Sequence, residues 1–249
     1  MASKPIYQPS GRAREYGDLA LNIYTGCNHG CAYCFARSMK QRFAPKDGVC
    51  TFDNPEQRRD IVESVKRQIE REQITKKLIH LCFSCDPYPA DIDTTPTREI
   101  IKALKHAGNN VQILTKGGIR AERNFDLLDS GDWFGVTVSG NWKITEIEPN
   151  AAPQEERLQS LATAKRLGIK TWVSCEPVIY EDAIYSLIAE HGYIDAYKIG
   201  KLNYHTPEEY GAPPINWGEF GRNCERLCIE HGRNYYIKED LRAAMAAGR

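Results

Sequence analysis

The residues most able to do chemistry are three cysteines spaced Cys27-x-x-x-Cys31-x-x-Cys34, in the run Tyr24-Thr25-Gly26-Cys27-Asn28-His29-Gly30-Cys31-Ala32-Tyr33-Cys34-Phe35. Three thiolates this close form a soft ligand set, which selects zinc or iron–sulfur centres. A structural zinc ion needs four closed ligands, and His29 is the nearby candidate for the fourth, although it lies between two of the cysteines. Three thiolates on a four-iron cluster instead leave one iron with an open position, which is a reactive arrangement.

Elements able to hold that loop are legible on either side of it. Apolar runs of strand length occur at 19–25, 78–84, 110–115, 133–139, 171–175 and 194–199. Helical periodicity fills the intervals: Ile61, Val62, Val65 and Ile69 mark 56–72, a threonine at 97 opens 97–106, and 154–167 stops at Gly168. A short helix is expected at 122–128, and further helices at 182–190 and 217–230. Strands alternating with helices predict a parallel sheet with right-handed crossovers. No Gly-x-Gly-x-x-Gly follows the first strand, so a dinucleotide fold has no support.

Strand parity sharpens the choice, since alternate side chains point to opposite faces. One parity is polar near the C-terminal strand ends: Asn22 and Tyr24; His80, Cys82 and Ser84; Gln112 and Lys116; Thr137 and Ser139; Ser174 and Glu176. Such convergence fits a barrel lumen with its active site at the top. The expected fold class is therefore α/β, either an open doubly wound sheet or a full or partial βα-barrel, and the parity favours a barrel. A short N-terminal arm (1–17) and a C-terminal extension (206–249) holding a strand at 235–237 complete it.

Composition limits the remaining classes. The 249 residues carry 33 basic and 33 acidic side chains, so no global field draws the chain to nucleic acid, although a local basic patch can survive within a neutral total. No apolar run approaches the roughly 20 residues of a membrane helix, and Met-Ala-Ser-Lys-Pro lacks the apolar core of a secretory signal. A cytoplasmic location is expected. Nine cysteines, an odd number, argue against a disulfide scaffold. Cys50, Cys175, Cys224 and Cys228 read as small core residues.

The cysteine motif followed by Phe35 resembles the radical S-adenosylmethionine (SAM) superfamily, and more narrowly its spore photoproduct lyase-related branch. The resemblance resumes at Ser84-Cys85-Asp86-Pro87-Tyr88-Pro89, Leu114-Thr115-Lys116-Gly117, Val136-Thr137-Val138-Ser139 and Ser174-Cys175-Glu176-Pro177. It implies a partial (βα)6 TIM-type barrel over 18–205, a [4Fe-4S] cluster on Cys27, Cys31 and Cys34, and SAM chelated to the open iron through its amine and carboxylate. Reductive cleavage of SAM then yields a 5′-deoxyadenosyl radical that abstracts a substrate hydrogen. The implied electron donor is a flavodoxin or a ferredoxin.

By the same resemblance Lys116 pairs with the SAM carboxylate, Ser139 bonds the ribose and Phe35 sits beside the adenine. Ser84 and Asp86 stand where the superfamily often has Gly-Gly-Glu receiving the amine, and this sequence departs from that pattern. Glu176 is either a paired buried carboxylate or a polar wall of the substrate pocket. Cys82 or Cys85 is a candidate hydrogen donor, against the plainer reading of a passive thiol. The basic tract 37–46, with Arg37, Lys40, Arg42, Lys46 and Phe43, can contact phosphate and stack a base. Nucleic acid is thus one expected substrate class, with a protein or small molecule as the alternative. A zinc-stabilised barrel that binds without redox chemistry is the competing reading.

Overall fold

The computed structural model describes residues 4–44, 51–140 and 143–247. Eight strands lie side by side in chain order in one sheet: β1 (Ile6–Tyr7), β2 (Leu19–Leu21), β3 (Leu78–Leu81), β4 (Asn110–Thr115), β5 (Trp133–Thr137), β6 (Lys170–Cys175), β7 (Ala196–Ile199) and β8 (Tyr235–Ile237). β1 pairs antiparallel with β2, and all later neighbours are parallel. The helices are α1 (Phe35–Arg42), α2 (Ile61–Glu72), α3 (Thr95–His106), α4 (Ile144–Ile147), α5 (Gln154–Arg166), α6 (Glu181–Glu190), α7 (Trp217–Glu230) and α8 (Glu239–Ala247). The result is an α/β partial barrel, open because no ladder joins β1 to β8 among the described residues.

The six expected core strands are present, and the sheet gains one strand at each edge. β1 has only two residues, too few to show a period. β8 adds the C-terminal extension to the same sheet beside β7.

Two helix starts differ from expectation for a local reason each. α2 begins at Ile61 rather than 56 because the preceding backbone pairs with the cysteine loop. The Thr25 and Cys27 amides donate to the Glu56 and Phe52 carbonyls at 2.9 Å each, and the Arg58 amide donates to the Ile23 carbonyl at 3.0 Å. α3 begins at Thr95, whose amide donates to Asp93 Oδ1 at 2.9 Å. Thr97, the expected cap, instead donates its hydroxyl to the Pro87 carbonyl at 2.8 Å. The helix expected at 122–128 is a 3-10 helix over Gly118–Leu127.

The lumen is filled with side chains of the inward parity. Trp172 donates Nε1–H to the Ile113 carbonyl at 3.0 Å and lies across Gly135, where a Cβ would meet its Nε1 at 2.2 Å. His80 stacks on Phe83 with ring centroids 4.2 Å apart, and Tyr16 closes over both. Cys175, Cys224 and Cys228 are buried in the core as expected, while Cys50 lies outside the described residues.

Candidate functional site

The cysteine loop joins β2 to α1 and is fastened on three sides. The Ala32 amide donates to the Ile147 carbonyl at 2.9 Å, and Asn150 reaches the carbonyls of His29 and Asn28. Asn28 exchanges a hydrogen-bond pair with Ala90, at 2.6 and 3.0 Å, fixing the loop to the segment after β3. Gly30 has φ +74 and packs on Pro149, where a Cβ would come within 2.9 Å of Cγ, so glycine is required twice over. Cys34 caps α1 and accepts the Arg37 amide at 3.5 Å on its sulfur.

Cys27, Cys31 and Cys34 line one cavity of about 440 Å³ at the C-terminal ends of the strands. Phe35, Cys82, Ser84, Cys85, Asp86, Lys116 and Glu176 line the same space. Burial pushes the Cys31 thiol up to about 12, against the pull of Lys116. Burial, reinforced by Asp86, also raises Cys27 well above the ordinary thiol value. A metal centre here therefore binds by displacing thiol protons.

The donor set fits a polynuclear cluster better than one ion. Its three motif thiols border one cavity, and on a four-iron cluster such a set leaves one iron with an open position. His29 is already committed elsewhere, with Nε2 3.1 Å from Arg120 and Nδ1 3.5 Å from Asp86. Burial lowers its pKa to about 4, although Asp86 opposes the shift. His29, the candidate for a fourth zinc ligand, is thus already engaged by Arg120 and Asp86.

Residues 21–181 match the family described as the radical SAM superfamily. The chain belongs to the radical SAM superfamily. Its members are enzymes that use a [4Fe-4S] cluster and SAM. An uncharacterized protein of Methanocaldococcus jannaschii is 28% identical over 218 residues, 84% of this chain and 78% of that protein. An uncharacterized protein of Acidianus two-tailed virus is 27% identical over 196 residues, 70% of this chain and 63% of its own. Among solved structures, a spore photoproduct lyase variant with bound AdoMet and dinucleoside spore photoproduct superposes with a TM-score of 0.68. It is 13% identical, and the match covers 93% of this chain and 79% of that one. Streptococcus suis SuiB bound to its precursor peptide SuiA gives 0.59 at 12% identity, covering 92% and 51%. These likenesses establish the fold.

Against this radical SAM frame the predicted residues separate into two groups. Lys116, Asp86, Ser84, Phe35, Cys82, Cys85 and Glu176 border the cavity with the three cysteines. Asp86 is saturated by protein donors: Thr115 Oγ1 at 2.6 Å, the Tyr88 amide at 2.8 Å and the Lys116 amide at 2.9 Å. It therefore ties the segment after β3 to the end of β4. Ser139 lies outside the lining, fully buried, with its Oγ 3.2 Å from Tyr33 Oη and 3.3 Å from Glu148. Asn22 and Tyr24 are corrections to the parity argument. Asn22 accepts the Phe83 and Ser84 amides, and Tyr24 Oη faces Thr97 of α3 at 3.0 Å, because β2 ends at Leu21 before either. The basic tract is partly helix α1, with Arg37 paired to Asp53 at 2.6 Å, and Lys46 lies outside the described residues.

Glu176 is both things expected of it. It lines the cavity, and it is paired: Lys238 donates to Oε2, as does Tyr16 Oη at 2.8 Å. Sequence reasoning missed those two partners. Tyr16 comes from the arm and Lys238 from the extension, so neither sits near Glu176 in any sequence window. Arg157 was also missed, a fully buried arginine paired with Glu148. Its only advance signal was an arginine at a core-facing position of a predicted helix.

Proposed function

We propose that this chain is a radical SAM enzyme whose [4Fe-4S] cluster is held by Cys27, Cys31 and Cys34. The observation that carries the reading is the single cavity shared by those three thiols, Lys116 and Glu176. When bound, the cluster and SAM together supply a 5′-deoxyadenosyl radical that takes a hydrogen atom from substrate.

The chain's own residues divide the remaining work. Lys116, whose amine makes no ion pair among the described residues, offers a point charge to the SAM carboxylate. Phe35 borders the adenine, and Ser84 with the Asp86 segment lines the amine side. Ser139 acts from behind the wall, through Tyr33 and Glu148. The barrel of 18–205 carries this cofactor half. The arm of 1–17 and the extension of 206–249 supply the opposite wall through Arg12, Tyr16 and Lys238, and this is the substrate half. One of Cys82 and Cys85, which both border the cavity, returns a hydrogen atom or relays the radical. A flavodoxin- or ferredoxin-class protein in the cytoplasm is the proposed reductant.

Anaerobic purification and reconstitution test the reading. The expected result is a brown protein with about four iron and four sulfide per chain, which converts SAM to 5′-deoxyadenosine with dithionite. Cys31→Ala should lose both properties. A colourless reconstituted protein binding one zinc ion overturns the proposal.

A further inference from the structure

Cys82-Phe83-Ser84-Cys85 is a C-x-x-C sequence, and it begins one residue past Leu81, the end of β3. Two thiols at this spacing, leaving the strand of a βα unit, are the arrangement of a redox dithiol. Return of a hydrogen atom needs one thiol, and the second is left without a task.

The backbone here brings the two sulfurs together. Cys82 has φ +87, a conformation that a residue with a Cβ adopts only under constraint, and it turns the chain as the strand ends. Asn22 Oδ1 accepts both intervening amides, Phe83 at 2.8 Å and Ser84 at 3.0 Å, which holds the bend closed. The thiols of Cys82 and Cys85 lie close enough to share a weak hydrogen bond, and the Ile23 backbone steadies the Cys82 sulfur. Backbone strain that neighbours hold in place is characteristic of functional turns.

Access to the two sulfurs differs in the order that thiol–disulfide exchange requires. Cys85 is half-buried and borders the cavity, so a small disulfide reaches it. Cys82 borders the same cavity at only 5% exposure, the placement of a resolving thiol that attacks once its neighbour is oxidised. Cys175, Cys224 and Cys228, by contrast, are wholly buried and border no part of this cavity. Asp86, the carboxylate next in sequence, is filled by Thr115, Tyr88 and Lys116, so it does not extend the pair into a metal site.

We propose that Cys82 and Cys85 form a reversible dithiol–disulfide couple, oxidised by small-molecule disulfides that enter the cavity. The Cys85 thiolate attacks one sulfur of the incoming disulfide, whose S–S bond breaks and releases one thiol. The Cys82 sulfur then gives up its proton, bonds to the Cys85 sulfur and expels the second thiol. Two electrons and two protons pass from the protein to the external disulfide, which becomes two thiols. The oxidised pair holds no S–H, so the couple switches hydrogen return on and off with the surrounding thiol poise. That consequence rests on the radical SAM reading of the cavity, whereas the couple itself does not.

Thiol trapping on the anaerobically reconstituted protein tests this. The protein is equilibrated with mixtures of 2-mercaptoethanol and hydroxyethyl disulfide, acid-quenched, denatured, alkylated and cut with trypsin. Cleavage after Lys77 and Arg98 isolates Cys82 and Cys85 in one peptide, apart from the 15–37 peptide that carries Cys27, Cys31 and Cys34. The 78–98 peptide should pass from doubly alkylated to unalkylated and two hydrogens lighter. Conversion from one tenth to nine tenths should span about a hundredfold change in the ratio of disulfide to thiol squared, and dithiothreitol should reverse it. In Cys82→Ser, Cys85 should accumulate a mercaptoethanol adduct, and in Cys85→Ser the adduct on Cys82 should be about tenfold scarcer or less. A wild-type peptide doubly alkylated at every ratio, or one carrying adducts without the internal bond, overturns the inference. Iron content and SAM binding are measured on the same preparation. A protein that holds both while its 78–98 peptide never oxidises sinks this inference alone. A colourless protein whose peptide oxidises reversibly sinks the cofactor reading and keeps the couple.

Discussion

Tyr33, placed between two cysteines of the motif, donates its phenol proton to Glu148, a carboxylate with no solvent exposure of its side chain. Arg157, also buried, neutralises Glu148 and donates to the carbonyls of Ala152 and Thr137 at 2.7 and 2.9 Å. The cysteine loop is thereby pinned to α5 and β5 through one ionic hub. Arg157→Met should cost about 3–5 kcal/mol, because it leaves a buried carboxylate without its partner. Tyr33→Phe should cost about 1–3 kcal/mol, since the cavity-side donor alone is lost. Urea unfolding of the two variants checks the order. Equal, negligible effects would remove the hub from the account.

How much of this was readable beforehand depends on how local the signal is. The cysteine loop and Lys116 sit in short runs with their own pattern, and the central strand Trp133–Thr137 is apolar on both faces along most of its length, so period and composition reveal them. Ser139 has the right parity and still faces away from the cavity, because its hydroxyl is claimed by Tyr33 and Glu148. Strand parity says which face a residue takes and nothing about what already occupies it. The substrate half was least legible: Arg12 and Asp240 are 228 positions apart, and only the tertiary fold brings them into contact.

The Glu176–Lys238 pair joins the end of β6 to the residue after β8, two strands along the same sheet. Lys238 is almost wholly buried, and its amine also lies 3.7 Å from Glu15 of the arm. Lys238→Met should therefore destabilise by about 3 kcal/mol or more. Adding Glu176→Gln should recover much of that loss, since the uncompensated charge is then gone. A double-mutant cycle by urea denaturation measures the coupling, and additive losses would contradict it.

His80 predicts an acid weakness of the fold. Burial, aided by Lys198, lowers its pKa from 6.5 to about 3, and weak contacts with the Cys82 backbone and Gln112 oppose the shift only in part. Between those values the unfolded chain binds a proton that the folded chain refuses. Stability from this group is complete above 6.5 and falls as pH drops toward 3, by roughly 1.4 kcal/mol per pH unit once inside the window. His80→Phe keeps a ring against Phe83 and removes the titration. Its melting temperature should fall less than that of wild type between about pH 7 and about pH 5. Identical pH dependence in the two proteins would show that His80 is not the source.

Cys82 and Cys85 offer the last test, because a hydrogen-atom donor must carry its hydrogen. Cys82 is buried with φ +87, and burial together with the neighbouring Cys85 pushes its thiol well above the ordinary range. The S–H form is thereby favoured over thiolate, which suits atom transfer and opposes nucleophilic chemistry. In deuterated water this thiol exchanges to S–D, so turnover should place solvent deuterium in the recovered product. Cys82→Ala or Cys85→Ala should abolish that label and slow turnover by about tenfold or more, the scale of a lost transfer step. Since Cys85 is only half-buried and Cys82 touches the cavity from beneath it, the variant with the larger loss identifies the donor. Full turnover with unchanged labelling in both variants would return the pair to the role of passive wall.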